Sequence, residues 1–210
     1  SLDGGTLRSV SNFATARATT LNAGGGTFTT SLGLVTHTGD IGGSGKLIKE
    51  DVATLVLAGN NSYSGGTDIR GGTVQVSADN NLGAGTGALS FEGGFLRSTS
   101  SLATGRATTL NAGGTAVLFA GNGAVVQSGG GVFRTDAGTA LSHTGDIGGA
   151  GALGKTGDGA LVLFGNNTYT GVTTVEAGTL KIAGGATTGS AGANIAATLT
   201  TAGGRMTVSG

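Results

Sequence analysis

A histidine and an aspartate stand three positions apart twice in the chain: His37 with Asp40, and His143 with Asp146. Such a pair can move a proton or hold a metal. Both copies lie in one glycine-ended run, Thr36-His-Thr-Gly-Asp-Ile-Gly-Gly43 and Ser142-His-Thr-Gly-Asp-Ile-Gly-Gly149. No nucleophile or third ligand recurs with them. The run therefore predicts an exposed turn with a structural aspartate, without metal or catalysis.

The other chemical patterns are weaker. Gly149-x-Gly151-x-x-Gly154 has the spacing of a dinucleotide loop, but the equivalent Gly43-x-Gly45-x-x-Ile48 loses the third glycine and no helix follows. Gly157-Asp158-Gly159 is a fragment of a calcium nonapeptide whose remainder is missing. A glycan-cleaving site needs carboxylates gathered on one face. Glu50, Asp51, Asp68, Asp79, Glu92, Asp136, Asp158 and Glu176 read as scattered along the chain. Threonine pairs at Thr19-Thr20 and Thr108-Thr109 could order water, yet they do not recur in every coil. The sequons at Asn60 and Asn166 read as turn residues. No catalytic, cofactor or metal residue is assigned.

The elements that would position these residues are set by internal repetition, which is sought first. Leu2–Gly25 (LDGGTLRSVSNFATARATTLNAGG) returns as Phe91–Gly114 (FEGGFLRSTSSLATGRATTLNAGG) at an offset of 89 residues. The stretch from Thr36 to Gly65 returns from Ser142 to Gly171 at an offset of 106. Two long repeats, at about 2–90 and 91–183, follow, with 184–210 opening a further coil or repeat. The offset grows within Thr115–Gly131 (TAVLFAGNGAVVQSGGG), which is expected to be one inserted coil, because a solenoid tolerates an added rung. Apolar bursts occur at Gly5–Val10, Ala53–Leu57, Thr73–Ser77, Ala88–Phe91, Thr115–Phe119, Ala160–Phe164 and Thr179–Ala183, each bounded by turn residues. Alternation inside them (Leu55 and Leu57, Val74 and Val76, Leu161 and Leu163, Leu180 and Ile182) predicts strands with one face inward. Ala191–Thr200 is the one weak helix candidate.

Composition narrows the class. Among 210 residues there are 46 glycines and no proline; 37% are hydrophobic and only 10% charged, for a net charge of zero. That apolar content excludes a disordered polar chain and predicts an ordered one with many turns. No Lys/Arg cluster suits a phosphate backbone, so nucleic acid is not an expected partner. Cysteine is absent, which removes disulfides and thiolate chemistry and suits export in an unfolded form. No run of eighteen apolar residues could cross a bilayer as a helix. No leader opens the chain and neither end carries a polar capping coil, so both ends read as cuts within a longer array.

Gly59-Asn60-Asn61-Ser62-Tyr63-Ser64-Gly65 recurs as Gly165-Asn166-Asn167-Thr168-Tyr169-Thr170-Gly171, each after a Leu-Val-Leu strand. Asn60, Asn61, Asn166 and Asn167 are expected to form corners and bond from coil to coil. Tyr63 and Tyr169 are expected to cover the core end with the hydroxyl in water. The unit resembles the autotransporter-associated β-strand repeat, also called the passenger-associated transport repeat. Lys155, Gly157, Gly159, Leu161, Leu163, Gly165, Asn167, Tyr169, Gly171, Thr173, Gly178 and Leu180 all fall on the family pattern. In the first copy Asp51 and Ala53 replace the Gly-x-Gly step, which suggests a locally different turn, and Val74 replaces the last leucine.

The resemblance implies an all-β, right-handed parallel β-helix, exported through a C-terminal outer-membrane barrel that is not in this sequence and displayed on a Gram-negative cell. About ten coils are expected from a coil of about 17–22 residues. The expected role is a non-catalytic adhesive stalk. Self-association between cells is preferred; binding to a host surface protein or glycan, or passive spacing, are the alternatives. Ligand-binding residues are not assigned.

Overall fold

The computed structural model of the chain describes residues 1–120, 123–183, 198–199 and 205–208. Short strands form where alternation predicts them, and glycine-rich corners turn the chain between them. The strands are β1 (Gly5–Ser9), β2 (Phe13–Thr15), β3 (Thr19–Thr20), β4 (Gly26–Thr30), β5 (Leu34–His37), β6 (Ile41–Gly42), β7 (Leu47–Glu50), β8 (Thr54–Leu57), β9 (Thr67–Ile69) and β10 (Thr73–Val76). A 3-10 turn at Asp79–Leu82 precedes β11 (Leu89–Phe91), β12 (Phe95–Ser98), β13 (Leu102–Thr104) and β14 (Thr108–Leu110). Then come β15 (Thr115–Ala120), β16 (Gly123–Ser128), β17 (Gly131–Thr135), β18 (Ala140–His143), β19 (Ile147–Gly148), β20 (Leu153–Thr156) and β21 (Ala160–Leu163). The last are β22 (Thr173–Val175), β23 (Thr179–Ile182), β24 (Thr198–Leu199) and β25 (Arg205–Val208). Every predicted burst lies on a strand. The helix candidate 191–200 falls outside the described residues except for β24, and the expected further coil at 184–210 is described only at β24 and β25.

Among the described residues all strand pairings but one are parallel, and they stack the coils into a β-solenoid. One sheet runs β1-β4-β7-β9-β11-β14-β19, a second β2-β5-β8-β10-β12-β17-β20-β22-β24, and a third β13-β18-β21-β23-β25. Nine stacked strands make about eight turns, fewer than the ten expected from dividing the chain by coil length. Part of that difference has a located cause. Residues 115–128 do not form the expected extra coil. They make an antiparallel hairpin, β15 with β16, that pairs Val117 with Val126 and stands outside the parallel ladder.

Inward side chains fill the space between the sheets. Leu55, Leu57, Val74, Val76, Leu161, Leu163 and Leu180 are buried in one continuous column with Phe28, Phe91 and Phe133, and Ile182 is buried as well. Glycine is required where coils approach. Gly43 and Gly149 occupy the same corner of the two repeats at φ +106° and +107°, and a Cβ on either would lie 2.1 Å from the carbonyl oxygen of Leu21 or Leu110.

The two repeats do not stack in phase. Strand β12 is the sequence counterpart of β1, and β17 that of β4. Yet β12 pairs with β10, a counterpart of β13's successors and not of β1. The first repeat spans four coils plus one further strand, β11. The second repeat is therefore turned by one face. Its inward column Leu96–Phe133–Lys155–Val175 matches Leu7–Phe28–Lys49–Ile69 but belongs to a different sheet.

Candidate functional site

The Asn-Asn corners form a side-chain ladder along the solenoid. The Ile41 N–H donates to Asn61 Oδ1 (2.8 Å), and Asn61 Nδ2 donates one coil on to the Asn81 carbonyl (2.6 Å). Asn81 Nδ2 donates back to the Gly59 carbonyl. On the outer side Asp40 Oδ1 accepts from the Asn60 N–H, and Asn60 Oδ1 accepts from Asn80 Nδ2. In the second repeat Asn167 takes the Ile147 N–H and gives Nδ2 to the Gly165 carbonyl, while Asp146 Oδ1 accepts the Asn166 N–H. Asn80 and Asn81 were missed by reading the sequence. Their signal was an Asn-Asn pair one coil length, twenty residues, after Asn60-Asn61.

Tyr63 and Tyr169 are not placed as expected. Their rings are buried and the hydroxyls are out of water, each sharing a 2.7 Å hydrogen bond with Thr67 Oγ1 or Thr173 Oγ1. Burial pushes both phenols up. The histidines also depart from the expected exposed turn. Asp40 and Asp146 are exposed, but His37 and His143 point into the core, edge-on to Phe28 and Phe133. Each Nδ1 lies 3.0 Å from a glycine carbonyl, Gly39 or Gly145, so Nδ1 donates. Each Nε2 then accepts from a threonine hydroxyl, Thr19 (2.9 Å) or Thr108 (2.8 Å). Burial lowers both histidines, which favours this neutral tautomer. Thr19 and Thr108 are thereby taken from the suggested water-ordering rows.

Two lysines are used as internal clamps. Lys155 Nζ donates to the carbonyls of Thr156 (2.8 Å), Gly157 (2.7 Å) and, one coil on, Ala177 (3.1 Å). Lys49 Nζ does the same for Glu50, Asp51 and Gly71. Burial pushes both down to about 8. Three carbonyl acceptors match the three protons of an ammonium, which keeps it charged at neutral pH. Asp51 holds the same left-handed turn (φ +63°) that Gly157 holds at +74°, so the substitution does not change the turn as expected. Asp51 Oδ2 accepts from Ser31 Oγ at 2.8 Å.

The outer faces are where a partner can be met, and there the acidic residues are not scattered as expected. Arg70 gathers three of them on one sheet, bonding Asp68 (3.1 Å) and Glu50 (3.2 Å) and reaching Glu92 at 3.7 Å, with Lys46 3.9 Å from Asp68. Asp68 is buried with Oδ1 unpartnered. This is a ladder of alternating sign along one sheet. A second ladder runs Gln75–Arg97–Asp136 on the neighbouring sheet, with a two-pronged Arg97–Asp136 pair at 2.8 and 3.0 Å. That pairing raises Arg97 and lowers Asp136. A shallow groove lined by Asn12, Phe13, Ala14, Leu34 and Thr36 carries no titratable side chain. Among the described residues no group of three His, Cys, Asp or Glu is placed to hold a metal.

The chain is similar in sequence to known proteins. The passenger-associated-transport-repeat family matches residues 47–76 and 153–182, the two clamp-and-corner units described above. The Adhesin BmaC autotransporter of Brucella suis biovar 1 (strain 1330) is 41% identical over 174 residues, covering 82% of this chain. The chain spans 5% of that relative's length. No solved structure matches the chain.

Proposed function

This chain is an autotransporter passenger-repeat segment, and we propose that it acts without catalysis as an adhesive stalk on the cell surface, holding to like rods on neighbouring cells. The related protein is named an adhesin, which supports an adhesive, outer-membrane-associated role. The observation that carries self-association is the sign-alternating ladder Glu50–Arg70–Glu92 with Asp68 and Lys46. An exposed ion pair is worth only about 0–1 kcal/mol to the fold. Exchanging such a pair for one with a second copy therefore loses little, and a chain of zero net charge does not repel its own kind. A catalytic reading is not favoured: the gathered carboxylates are bridged by the Arg70 guanidinium, which lies between them.

Sedimentation equilibrium from about micromolar to hundreds of micromolar, the span of weak polar interfaces, tests the reading. Charged caps added at both terminal coils keep end-to-end stacking from imitating lateral contact. Dimers that persist with the caps are expected. A monomer at every concentration contradicts self-association and favours a host surface protein or glycan, or passive spacing.

A further inference from the structure

The corner after β14 is where the two repeats differ by a whole element. In the first repeat Leu21-Asn-Ala-Gly-Gly25 runs directly into Gly26-Thr27-Phe28 of β4. In the second, Leu110-Asn-Ala-Gly-Gly114 is followed by sixteen residues, 115–130, before Gly131-Val132-Phe133 of β17. The neck is closed by the Gly129 N–H donating to the Gly114 carbonyl at 2.9 Å. The first repeat thus closes the same coil without the hairpin, so the solenoid does not need it.

What the hairpin offers is an uncharged strand edge. Thr115–Ser128 contains no charged residue and no proline, and Val117, Leu118 and Phe119 run opposite Val126, Val125 and Ala124. Among the described residues neither strand pairs with a third, so each leaves a row of backbone donors and acceptors along its outer edge. At the base, Ala116 is buried with Val132 against partly buried Phe95, which seats the hairpin on the nine-stranded sheet. A two-stranded ribbon alone is marginally stable. Long, flat, uncharged edges pair with other strands unless charge, proline or a bulge blocks them. Here nothing of that kind blocks the edge, while the sheet beside it carries Arg97 and Arg134.

We infer that the hairpin Thr115–Ser128 pairs edge to edge with the same hairpin of a second copy, making a four-stranded antiparallel sheet across a two-fold axis. The inference rests on the self-association reading above and assigns it an element. A second copy fits because a two-fold antiparallel pairing of identical strands supplies a carbonyl for every exposed N–H and apolar residues for apolar residues. An edge without charge carries no complement for a charged partner and no repulsion toward its own copy.

The test compares three forms by sedimentation equilibrium: the wild type, a deletion of 115–130 that joins Gly114 to Gly131, and Val125→Lys. The deletion restores the corner of the first repeat, and far-UV circular dichroism checks its fold. The expected result is a dimer for the wild type, a monomer for the deletion, and at least tenfold weaker dimerisation for Val125→Lys. If the deletion does not fold, Val125→Lys decides by the same criterion. A folded deletion that dimerises with wild-type affinity overturns the hairpin's role and leaves lateral self-association standing. A monomeric wild type overturns both.

Discussion

Arg97 and Arg106, near the start of the second repeat, meet opposite surroundings. Arg97 lies on an outer face, its side chain 34% exposed, and pairs with Asp136 at 2.8 Å. Arg106 is 2% exposed and spends every guanidinium N–H on the coil beneath it: both carboxylate oxygens and the carbonyl of Asp79, and the carbonyls of Gly83, Ala84 and Gly87. The segment 79–87 closes the fourth coil and leads into β11, the strand by which the first repeat exceeds four whole coils. One residue type is thus a half-solvated rung of a surface ladder on one strand and the joint between repeats a few residues on. A polar position in a solenoid acquires its energetics from the coil it faces, since each coil touches only its neighbours.

The largest effect is expected from breaking that joint. Arg106→Leu takes the guanidinium from the Asp79 carboxylate and from the Asp79, Gly83 and Gly87 carbonyls, while Ala84 keeps the Gly87 N–H; each buried acceptor left unpaired costs about 1–3 kcal/mol, so a loss of about 3 kcal/mol or more is expected. Arg97→Leu is expected to lose only about 0–1 kcal/mol, as partly exposed ion pairs do. Urea unfolding midpoints of the two variants check the contrast, and equal losses would dissolve it.

A second comparison concerns the turn shared by Asp51 and Gly157. A Cβ at Gly157 would sit 2.4 Å from the Thr135 carbonyl oxygen, so Gly157→Asp is expected to lose about 1–3 kcal/mol. In the reverse direction Asp51→Gly removes a left-handed non-glycine residue along with its bond to Ser31. The two nearly cancel, within about 1 kcal/mol. Thermal melts of both variants report the asymmetry.

Acid sharpens the comparison of the histidines. Their folded pKa values lie below the ordinary 6.5, so between those values and 6.5 the unfolded chain binds more protons. Stability is fully present above about pH 6.5 and is lost as pH falls through that window, by at most about 1.4 kcal/mol per histidine per pH unit. Protonating Nε2 also removes the acceptor for the threonine hydroxyl. Thr108 is buried and Thr19 only half-buried, so His143→Gln is expected to flatten the pH dependence of the melting temperature more than His37→Gln. The smallest effect is Tyr63→Phe, which leaves Thr67 short of one buried partner for about 1 kcal/mol; Tyr169→Phe, at 8% exposure, is expected to lose less.

How much of this was legible in the sequence follows from periodicity. Strands, inward leucines and valines, and Gly-Asn corners carry period-two alternation or turn chemistry, so Leu55, Val74, Leu161 and Leu180 could be placed from the sequence. The fates of His37, Tyr63, Lys49 and Arg106 could not be, because polar side chains are placed by what the next coil offers. His37 reads as exposed until Thr19, eighteen residues earlier, is seen to reach it, and no sequence pattern places Lys49 before Gly71 is seen to lie over its ammonium. The insertion at 115–131 was visible as an insertion. Its form was not, since one added rung and one hairpin have the same length and the same alternation.

The turn of one face between repeats is the central structural claim, and a cysteine-free chain allows it to be tested by paired cysteines. In the observed stacking Gln75 and Arg97 are register partners on β10 and β12, on adjacent strands within the span a disulfide bridges. Gln75→Cys with Arg97→Cys is therefore expected to crosslink under mild oxidation, and Asp68→Cys with Phe95→Cys, which would meet if the repeats stacked in phase, is expected to stay reduced. Crosslinking of the second pair in place of the first would contradict the account.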